Sequence, residues 1–391
     1  MDDSFSLERD LSIIHSLHTW LPQTETWIFN QIRYLNKIVK NFIICEQTKN
    51  LDQFALPNIH CLSKDYPCYY FCDKFLQKIG IRRHVRLGEK VVRELKAKIL
   101  HSHFANFGWI NIPLAKHREL KHVVTFYGFD VNMLPTQQPV WLERYKELFV
   151  AADLILCEGP FMAQCVMGLG CPQKKVRVHH LGVCVDEIQY LARVWNKNEP
   201  LRILIAASFQ EKKGIPYALE ALGRLKNKLS FQITIIGDAN PEKRSQQEKK
   251  KILETIRKQG LQSHVRMLGY QPHRRLLEES YKHHIFLAPS IKTNSGDTEG
   301  GAPVTIIEMM ATGLMVISSR HCDIPMLIED KKTGLLVEEK NVEELAKIVL
   351  WLANQDQQTW NLISRNARNH IERDFDIRIQ SSKLLQIYEG L

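Results

Sequence analysis

Two glutamates in a glycine-containing stretch, Glu299 and Glu308, are the residues whose types and spacing point most directly to chemistry. Glu299 precedes the pair Gly300–Gly301, and Glu308 lies inside the apolar run 306–310. A carboxylate flanked by apolar residues is costly to bury unless something pairs with it. The stretch therefore predicts that both acids meet a polar partner.

The sequence around the two glutamates indicates a strand, a loop and the start of a helix. "HHIFLAPS" is typical of a buried strand, Pro303 fits the first position of a helix, and Gly313 fits its end. Ligands of open α/β sheets bind at the carboxyl ends of the strands, where a helix N-terminus also attracts phosphate. The backbone N–H groups predicted to face a phosphate are those of Gly301, Ala302, Val304 and Thr305.

The chemistry of this stretch favours a ligand with both phosphates and hydroxyls. Glu299 and Glu308 would be repelled by a phosphate, so we expect them to contact hydroxyl groups instead. A diphosphate that also carries many hydroxyls is a nucleotide sugar. The alternative reading of the motif alone is an ordinary loop with a helix cap, in which Glu308 is simply exposed.

A second group of candidate residues follows another predicted strand, "LRILIAAS". The strand ends near Ser208, the next loop carries Lys212 and Lys213, and Gly214 opens a helix. A lysine above such a turn can neutralise charge on a departing phosphate. The alternative is a pair of surface lysines without a ligand.

Two motifs in the first half place polar residues at strand ends. "HSHF" contains His101 and His103, and "TFYGFD" contains Tyr127, Gly128 and Asp130. We expect His103, Tyr127 and Asp130 to line the acceptor side of a cleft between two domains. Histidines at strand ends are frequently structural, which is the alternative for this group.

The pattern of the whole chain predicts an α/β fold with two doubly wound domains. Short apolar runs without strict alternation recur in both halves, which is typical of strands buried on both faces of a parallel sheet. Most are followed by a loop and a segment of helical period. The polar segment 192–200 separates the two series and has the composition of a linker.

Composition and charge indicate a soluble globular protein of the cytosol. The chain of 391 residues begins with an acidic, polar segment rather than an export signal, and its nine cysteines do not have the spacing of a disulfide scaffold. The formal charge is +10. Between Lys74 and Lys98, basic and apolar residues alternate in a pattern that can lie on an anionic membrane surface. The alternative for that segment is a solvated helix face.

No metal site and no cofactor are predicted. His60, Cys61, Cys68 and Cys72 form the tightest group of potential ligands, but their spacing fits no zinc pattern. The Asp-x-Asp at residues 374–376 falls in a helical region rather than after a strand.

The motifs together resemble the family-4 retaining glycosyltransferases, in particular the branch that builds bacterial exopolysaccharide. The resemblance is strongest over 297–346, which looks like the donor-binding block of that family, and it extends through "QTETWIFNQI", "HSHFANFG", "TFYGFDV", "HHLGV" and "EKKGIPYALEAL". It implies a GT-B fold, in which two Rossmann-like domains face each other across a cleft. The implied boundaries are an acceptor domain at 1–191, a donor domain at 192–372, and a last helix at 373–391 that crosses back.

The resemblance also implies a metal-independent hexosyl transfer from a nucleotide diphosphate sugar to a glycan or lipid-linked acceptor. Glu308 would hold the ribose hydroxyls, Glu299 would hold the hydroxyls of the donor sugar, and Lys213 would contact the diphosphate. Glu299 and Lys213 are therefore the predicted catalytic residues. The rest of the predicted donor site comprises Ser208, Gly300, Gly301, Ala302, Pro303, Val304 and Thr305.

Three positions depart from the pattern of that family. Its two glutamates usually have seven residues between them, whereas Glu299 and Glu308 have eight. Ser208 stands where an arginine is common, and Tyr127 stands where a histidine is common.

Two other functions remain compatible with the sequence. A nucleotide-sugar epimerase on the same fold would need no acceptor and would convert the nucleotide sugar alone into an isomer. A non-catalytic basic protein would bind a membrane or nucleic acid in a strongly salt-dependent way and would turn over no sugar. We do not expect nucleic-acid binding, because Phe75 is the only aromatic residue between Lys74 and Lys98.

Overall fold

The structure of the chain is a computed structural model that describes residues 11–22, 25–79 and 92–391. It consists of two α/β units, which confirms the predicted fold class. Unit 1 comprises Met1–Gly182 together with Ile377–Leu391, and unit 2 comprises Val183–Asp376.

The polar segment 192–200, interpreted above as a linker, lies wholly within unit 2. Its Arg193 is buried and donates hydrogen bonds to the carbonyl groups of His283 and Ser280 at 3.0 and 3.3 Å. Polar composition alone could not distinguish a linker from a segment whose guanidinium satisfies buried carbonyl groups.

Unit 1 contains a seven-stranded parallel sheet in the order β3-β2-β1-β4-β5-β6-β7. The short strand β3 was not anticipated from the sequence. The strands are β1 (Ser12–Trp20), β2 (Lys40–Thr48), β3 (Ile59–Cys61), β4 (Ile99–His103), β5 (Lys121–Phe126), β6 (Leu154–Cys157) and β7 (Val176–Val178).

Helices cover unit 1, and the last helix of the chain is one of them. Leu384, Leu385 and Tyr388 from that helix pack with Ile13 and Ile99 of the sheet. The helices are α1 (Thr26–Leu35), α2 (Leu62–Asp65), α3 (Pro67–Lys78), α4 (Ala105–His117), α5 (Leu134–Gln137), α6 (Val140–Ala151), α7 (Pro160–Gly168) and, at the C-terminus, Ile377–Glu389.

Unit 2 contains a six-stranded parallel sheet in the order β10-β9-β8-β11-β12-β13. Along β8, Ile203 and Ile205 belong to one apolar cluster, whereas Leu204 and Ala206 belong to another. The sheet is therefore buried on both faces, which explains why its strands lack alternation. The strands are β8 (Leu201–Ala206), β9 (Phe231–Ile236), β10 (Val265–Met267), β11 (Ile285–Ala288), β12 (Met315–Ser319) and β13 (Leu335–Val337).

The helices of unit 2 follow its strands in chain order, as expected for a doubly wound fold. Numbered after those of unit 1, they are α8 (Ile215–Gly223), α9 (Lys243–Lys258), α10 (His273–Ser280), α11 (Val304–Thr312), α12 (Ile324–Leu327), α13 (Val342–Ala353) and α14 (Gln357–Asp374); Ile377–Glu389 of unit 1 is then α15. In the part of the chain that the structure describes, no helix is both long enough and apolar enough to cross a membrane.

Candidate functional site

A buried ion pair lies in unit 2 where the loops after β8 and β11 meet. The Lys213 ammonium is 2.8 Å from Glu299 Oε2, and the Ser290 hydroxyl donates to Glu299 Oε1 at 2.7 Å. The Glu299 side chain is 6% exposed. Burial raises its pKa, but the charges of Lys213 and Lys212 outweigh that effect and hold the pKa of Glu299 below its ordinary value. The carboxylate is therefore ionised at neutral pH.

The two loops are held together by backbone and side-chain contacts next to this ion pair. Gly214 has a φ of +64°, and a Cβ at this position would lie 1.9 Å from the Pro289 carbonyl oxygen. Only glycine permits such a close approach. Lys212 adds a second link, because its ammonium donates to the Thr298 carbonyl at 3.0 Å and lies 3.3 Å from Asp297 Oδ1.

The backbone of Glu299 is fixed from another side by a histidine and a second glutamate. The Glu299 N–H donates to His321 Nε2 at 3.1 Å, while His321 Nδ1 lies 2.7 Å from Glu339 Oε1. The second oxygen of Glu339 accepts the Lys292 N–H at 2.6 Å. His321 therefore carries its proton on Nδ1, and Glu339 anchors two points of the loop.

The helix that follows this loop presents backbone donors. α11 begins at Val304, so Pro303 caps the helix instead of taking its first position. Gly313, with a φ of +87°, ends the helix as predicted. Among the described residues, no acceptor is found for the backbone N–H groups of Gly301, Ala302, Val304 and Thr305. An anion could bind to these groups and would be favoured by the helix dipole.

Glu308 lies on α11 and is also paired. It is 3% exposed, and its Oε1 is 2.7 Å from Nε2 of His273, the first residue of α10. The charge of Glu308 raises the pKa of His273 more than burial lowers it. The alternative in which Glu308 is exposed is therefore wrong.

Ser208, the remaining predicted donor residue, follows β8 and is partly buried. Its carbonyl oxygen accepts the Gln210 N–H at 2.8 Å. Its hydroxyl has no hydrogen-bond partner among the residues that the structure describes. Ser208 thus lies in the same loop as Lys213 without joining the ion pair.

The predicted acceptor residues lie together in unit 1. His103 Nδ1 is 2.9 Å from the Tyr127 hydroxyl, and Asp130 Oδ2 accepts the Tyr127 N–H at 2.9 Å. All three residues are buried. Burial raises the pKa of Asp130 to about 7, although the hydrogen bonds that this carboxyl accepts from backbone N–H groups oppose the shift.

Two more histidines extend this group into a buried layer. His15 Nδ1 is 3.1 Å from His103 Nε2, and His101 contacts the hydroxyls of Thr125 and Tyr388, each at 2.6 Å. One ring nitrogen from each histidine lies within 4.8 Å of the others, so these three could hold a metal ion. Burial lowers the pKa of each ring, so all three are neutral at pH 7. The hydrogen bonds indicate that the layer orients His103 and Tyr127.

Four residues at the unit 2 site were not identified from the sequence. Ser290, His321 and Glu339 support Glu299, and His273 pairs with Glu308. They come from different loops and helices, so no local spacing connects them. The only sequence signal is that His273 follows Pro272, at a position suited to a helix start.

Comparison with known families divides the chain at nearly the same place as the structure does. Residues 25–187 match Glycosyltransferase Family 4, and residues 189–370 match Glycosyl transferases group 1. The chain is 30% identical over 294 residues to the putative colanic acid biosynthesis glycosyltransferase WcaL of Escherichia coli, covering 73% of this chain and 70% of that protein. It is 32% identical over 293 residues to the amylovoran biosynthesis glycosyltransferase AmsK of Erwinia amylovora, covering 73% and 69%.

Solved structures share the fold over nearly the whole chain. A glycosyltransferase from Rickettsia africae superposes with a TM-score of 0.73 at 18% identity, covering 97% of this chain and 98% of that one. HepE of Anabaena, solved in complex with UDP-glucose, superposes with a TM-score of 0.76 at 13% identity, covering 97% and 100%. At these identities the likeness establishes the fold alone, and it confirms the predicted pair of Rossmann-like domains.

Proposed function

Since the chain belongs to the family-4 glycosyltransferases, we propose that it is a retaining hexosyltransferase of polysaccharide biosynthesis with a nucleotide diphosphate sugar as donor. The polysaccharide role is supported by the names of the colanic acid and amylovoran relatives. The donor class is supported by HepE, whose structures contain UDP and UDP-glucose.

The observation that carries this proposal is the pairing of Lys213 with Glu299 beside the N-terminus of α11. One location in unit 2 offers a cation and backbone donors for a diphosphate, together with a carboxylate for sugar hydroxyls. We assign the diphosphate to Lys213 and to the N–H groups of Gly301, Ala302, Val304 and Thr305.

The two glutamates take different parts of the donor in this proposal. Glu299 accepts hydrogen bonds from hydroxyls of the transferred sugar, and Glu308 accepts them from the ribose. Each carboxylate is already oriented, by Ser290 and His321 for Glu299 and by His273 for Glu308. Such preorganisation lowers the cost of ordering the site when the donor binds.

The reaction we propose is substitution at the anomeric carbon with retained configuration. An acceptor hydroxyl oxygen forms the new bond on the face from which the diphosphate departs, and the bond between the anomeric carbon and the phosphate oxygen breaks. Its electron pair stays on the diphosphate, which takes the proton of the acceptor hydroxyl. Lys213 stabilises the negative charge that develops on the leaving group. This scheme needs no metal ion, so activity should persist in EDTA.

We assign the acceptor to unit 1, at His103, Tyr127 and Asp130, and we propose that it is a glycan carried on a lipid. Tyr127 and Asp130 are held by the hydrogen bonds described above and could orient hydroxyls of an acceptor. A lipid-linked acceptor would place the enzyme at the cytoplasmic face of a membrane.

A panel of nucleotide sugars tests the proposed function. The donor should raise the melting temperature of the protein, because it binds the native state only. With that donor and a glycan acceptor, Lys213→Ala should lower kcat about 10²- to 10³-fold, the usual loss when one stabilising donor is removed. Lys258→Ala, at an exposed position in the last turn of α9, is the matched control and should be neutral.

Two results would contradict the proposal. One is full transfer activity in Lys213→Ala. The other is formation of an isomer from the nucleotide sugar alone, which would identify an epimerase.

A further inference from the structure

A chain of hydrogen bonds links a buried asparagine of unit 1 to the Tyr127 hydroxyl. Asn41 Oδ1 lies 3.1 Å from His15 Nε2, and His15 Nδ1 lies 3.1 Å from His103 Nε2. His103 Nδ1 in turn lies 2.9 Å from the Tyr127 hydroxyl. All four residues are buried, so these contacts are shielded from bulk water.

The parallel sheet of unit 1 brings the four residues together. Asn41 lies in β2 and His15 in β1, while His103 ends β4 and Tyr127 directly follows β5. These four strands are neighbours in the sheet. Ile13 of β1 pairs with Asn41, and His15 lies two residues further along, so both side chains are on the same face.

The amide of Asn41 sets the direction of the first hydrogen bond. Its Nδ2 donates to the Val39 carbonyl at 2.9 Å and to Asn36 Oδ1 at 3.0 Å. A backbone carbonyl can only accept, so the amide nitrogen faces Val39 and the amide oxygen faces His15. That oxygen can also only accept. His15 therefore carries its proton on Nε2 and donates to Asn41.

Two neutral imidazoles transmit this direction across the sheet. Burial lowers the pKa of His15 to about 4 and holds the pKa of His103 well below its ordinary value, so both rings are neutral at pH 7. A neutral ring with its proton on Nε2 has no proton on Nδ1. His103 must therefore donate from Nε2 to His15, and its own Nδ1 must accept from Tyr127. The hydroxyl hydrogen of Tyr127 thus points toward His103.

We propose that Asn41 is a positioning residue that, through two histidines, makes Tyr127 accept a hydrogen bond from a hydroxyl of the glycan acceptor. The single hydrogen of the Tyr127 hydroxyl is already committed, so its oxygen can only accept from a further partner. The inference rests on the proposed function, which assigns the acceptor to Tyr127. It adds the chemical group selected there, which is a hydrogen-bond donor rather than a carboxylate or phosphate oxygen.

A metal ion held by the three neighbouring histidines is the alternative for this layer. The rings of His101 and His103 stack with their centroids 4.4 Å apart and their planes 23° apart. Lone pairs of ring nitrogens lie in the ring planes, so two stacked rings do not direct them toward one ion. A metal would also need a lone pair on His103 Nε2, where the hydrogen bonds require a proton. The hydrogen-bond chain therefore fits the geometry better.

Nitrogen-15 NMR of the full chain, labelled at its histidines, tests the direction of the hydrogen bonds. The signals of His15 and His103 can be assigned with the variants His15→Gln and His103→Gln. Both rings should carry their proton on Nε2 at pH 7. A proton on Nδ1 of either ring would overturn the proposal. So would a stoichiometric metal ion whose removal shifts the signals of these rings.

Steady-state kinetics with a soluble glycan acceptor tests the positioning role. Asn41→Leu removes the oxygen that fixes His15, and it should raise the acceptor KM about fivefold, the usual value of one neutral hydrogen bond, without changing the donor KM. Tyr127→Phe should raise the acceptor KM by a similar factor. The double variant should be no worse than Tyr127→Phe, because Asn41 acts only through that hydroxyl. Additive effects, or a raised donor KM alone, would refute this role.

Asn111 provides a matched control, because it is another buried asparagine of unit 1. It is 7% exposed, and its Nδ2 donates to the hydroxyls of Ser16 and Ser102 at 2.9 and 3.0 Å. Asn111→Leu should lower stability but leave the signals of His15 and the acceptor KM unchanged. An equal rise of the acceptor KM in Asn111→Leu would show that any loss of a buried amide suffices, which would contradict the proposal.

The outcome is separable from that of the proposed function. The proton positions are measured in the protein without donor or acceptor. Protons on Nε2 in a protein that transfers no sugar would contradict the proposed function alone, whereas a proton on Nδ1 in an active transferase would contradict this inference alone. A membrane contact through the basic segment from Lys74 to Lys98, of which residues 80–91 lie outside the described part of the chain, would change neither readout.

Discussion

Replacement of Glu308 by alanine provides the sharpest test of the proposed donor site. The carboxylate is 3% exposed, and its one described partner is His273, so its other oxygen is available to a ligand. If Glu308 accepts hydrogen bonds from two ribose hydroxyls, each contributes about 1.5–3 kcal/mol as a bond to a charged group. Binding of the ribose weakens the contact between Glu308 and His273, which offsets part of the gain from the two hydrogen bonds. We therefore expect Glu308→Ala to lose about 3 kcal/mol of binding free energy, or on the order of 10²-fold in Kd.

Isothermal titration calorimetry with UDP, or with whichever nucleoside diphosphate stabilises the wild type most, measures this loss. The exposed Glu343 of α13 provides the control, since Glu343→Ala removes the same charge away from the site. A 2′,3′-dideoxy nucleoside diphosphate provides a second control. It lacks both hydroxyls, so it should bind the wild type and Glu308→Ala equally weakly.

Two results would refute the assignment of Glu308 to the ribose. The first is an unchanged Kd for UDP in a folded Glu308→Ala protein. The second is an equal loss of affinity for the ribose and dideoxy ligands, which would show that Glu308 acts through the structure of the loop.

Two further predictions concern stability. Because the pKa of His273 is raised above 6.5 by Glu308, the stability that this ion pair contributes should be complete below about pH 6.5 and should decline as pH rises through the raised value. Urea denaturation should therefore show a larger gap between wild type and His273→Gln at about pH 6 than at about pH 8.5, and no such trend in a Glu308→Gln background. Gly214→Ala should cost more than about 2 kcal/mol, because its Cβ would strike the Pro289 carbonyl oxygen. Gly269→Ala is the control: its φ of +66° matches the +64° of Gly214, but nothing lies within 4 Å of its Cβ, so equal costs would show that backbone conformation alone decides.

The fold could be predicted from the sequence because its strands carry a strong local signal. Strands β8 and β12 carry apolar residues on both faces, and the structure shows both faces covered. Strand β3 could not be predicted, because its three residues, Ile59–Cys61, are too few to form a recognisable apolar pattern. The start of α11 was misplaced by one residue, since proline suits both the cap and the first turn.

The candidate site could be predicted only where its residues follow one another in the chain. The loop from Glu299 to Thr305 is continuous, so its motif is visible in the sequence. The contact of Lys213 with Glu299 spans 86 residues, and that of His273 with Glu308 spans 35. Such pairs depend on which strands become neighbours in the sheet, and no local pattern encodes that.

The ion pair between Lys213 and Glu299 has a consequence for selectivity. Lys213 already has a counter-ion in Glu299, so a free phosphate must compete with a carboxylate that is held in place by Ser290 and His321. A donor whose sugar hydroxyls donate to Glu299 while its phosphate pairs with Lys213 gives each of these charged groups a new partner at the same time. In the proposed binding mode, the same ion pair therefore favours the intact nucleotide sugar over its inorganic fragments.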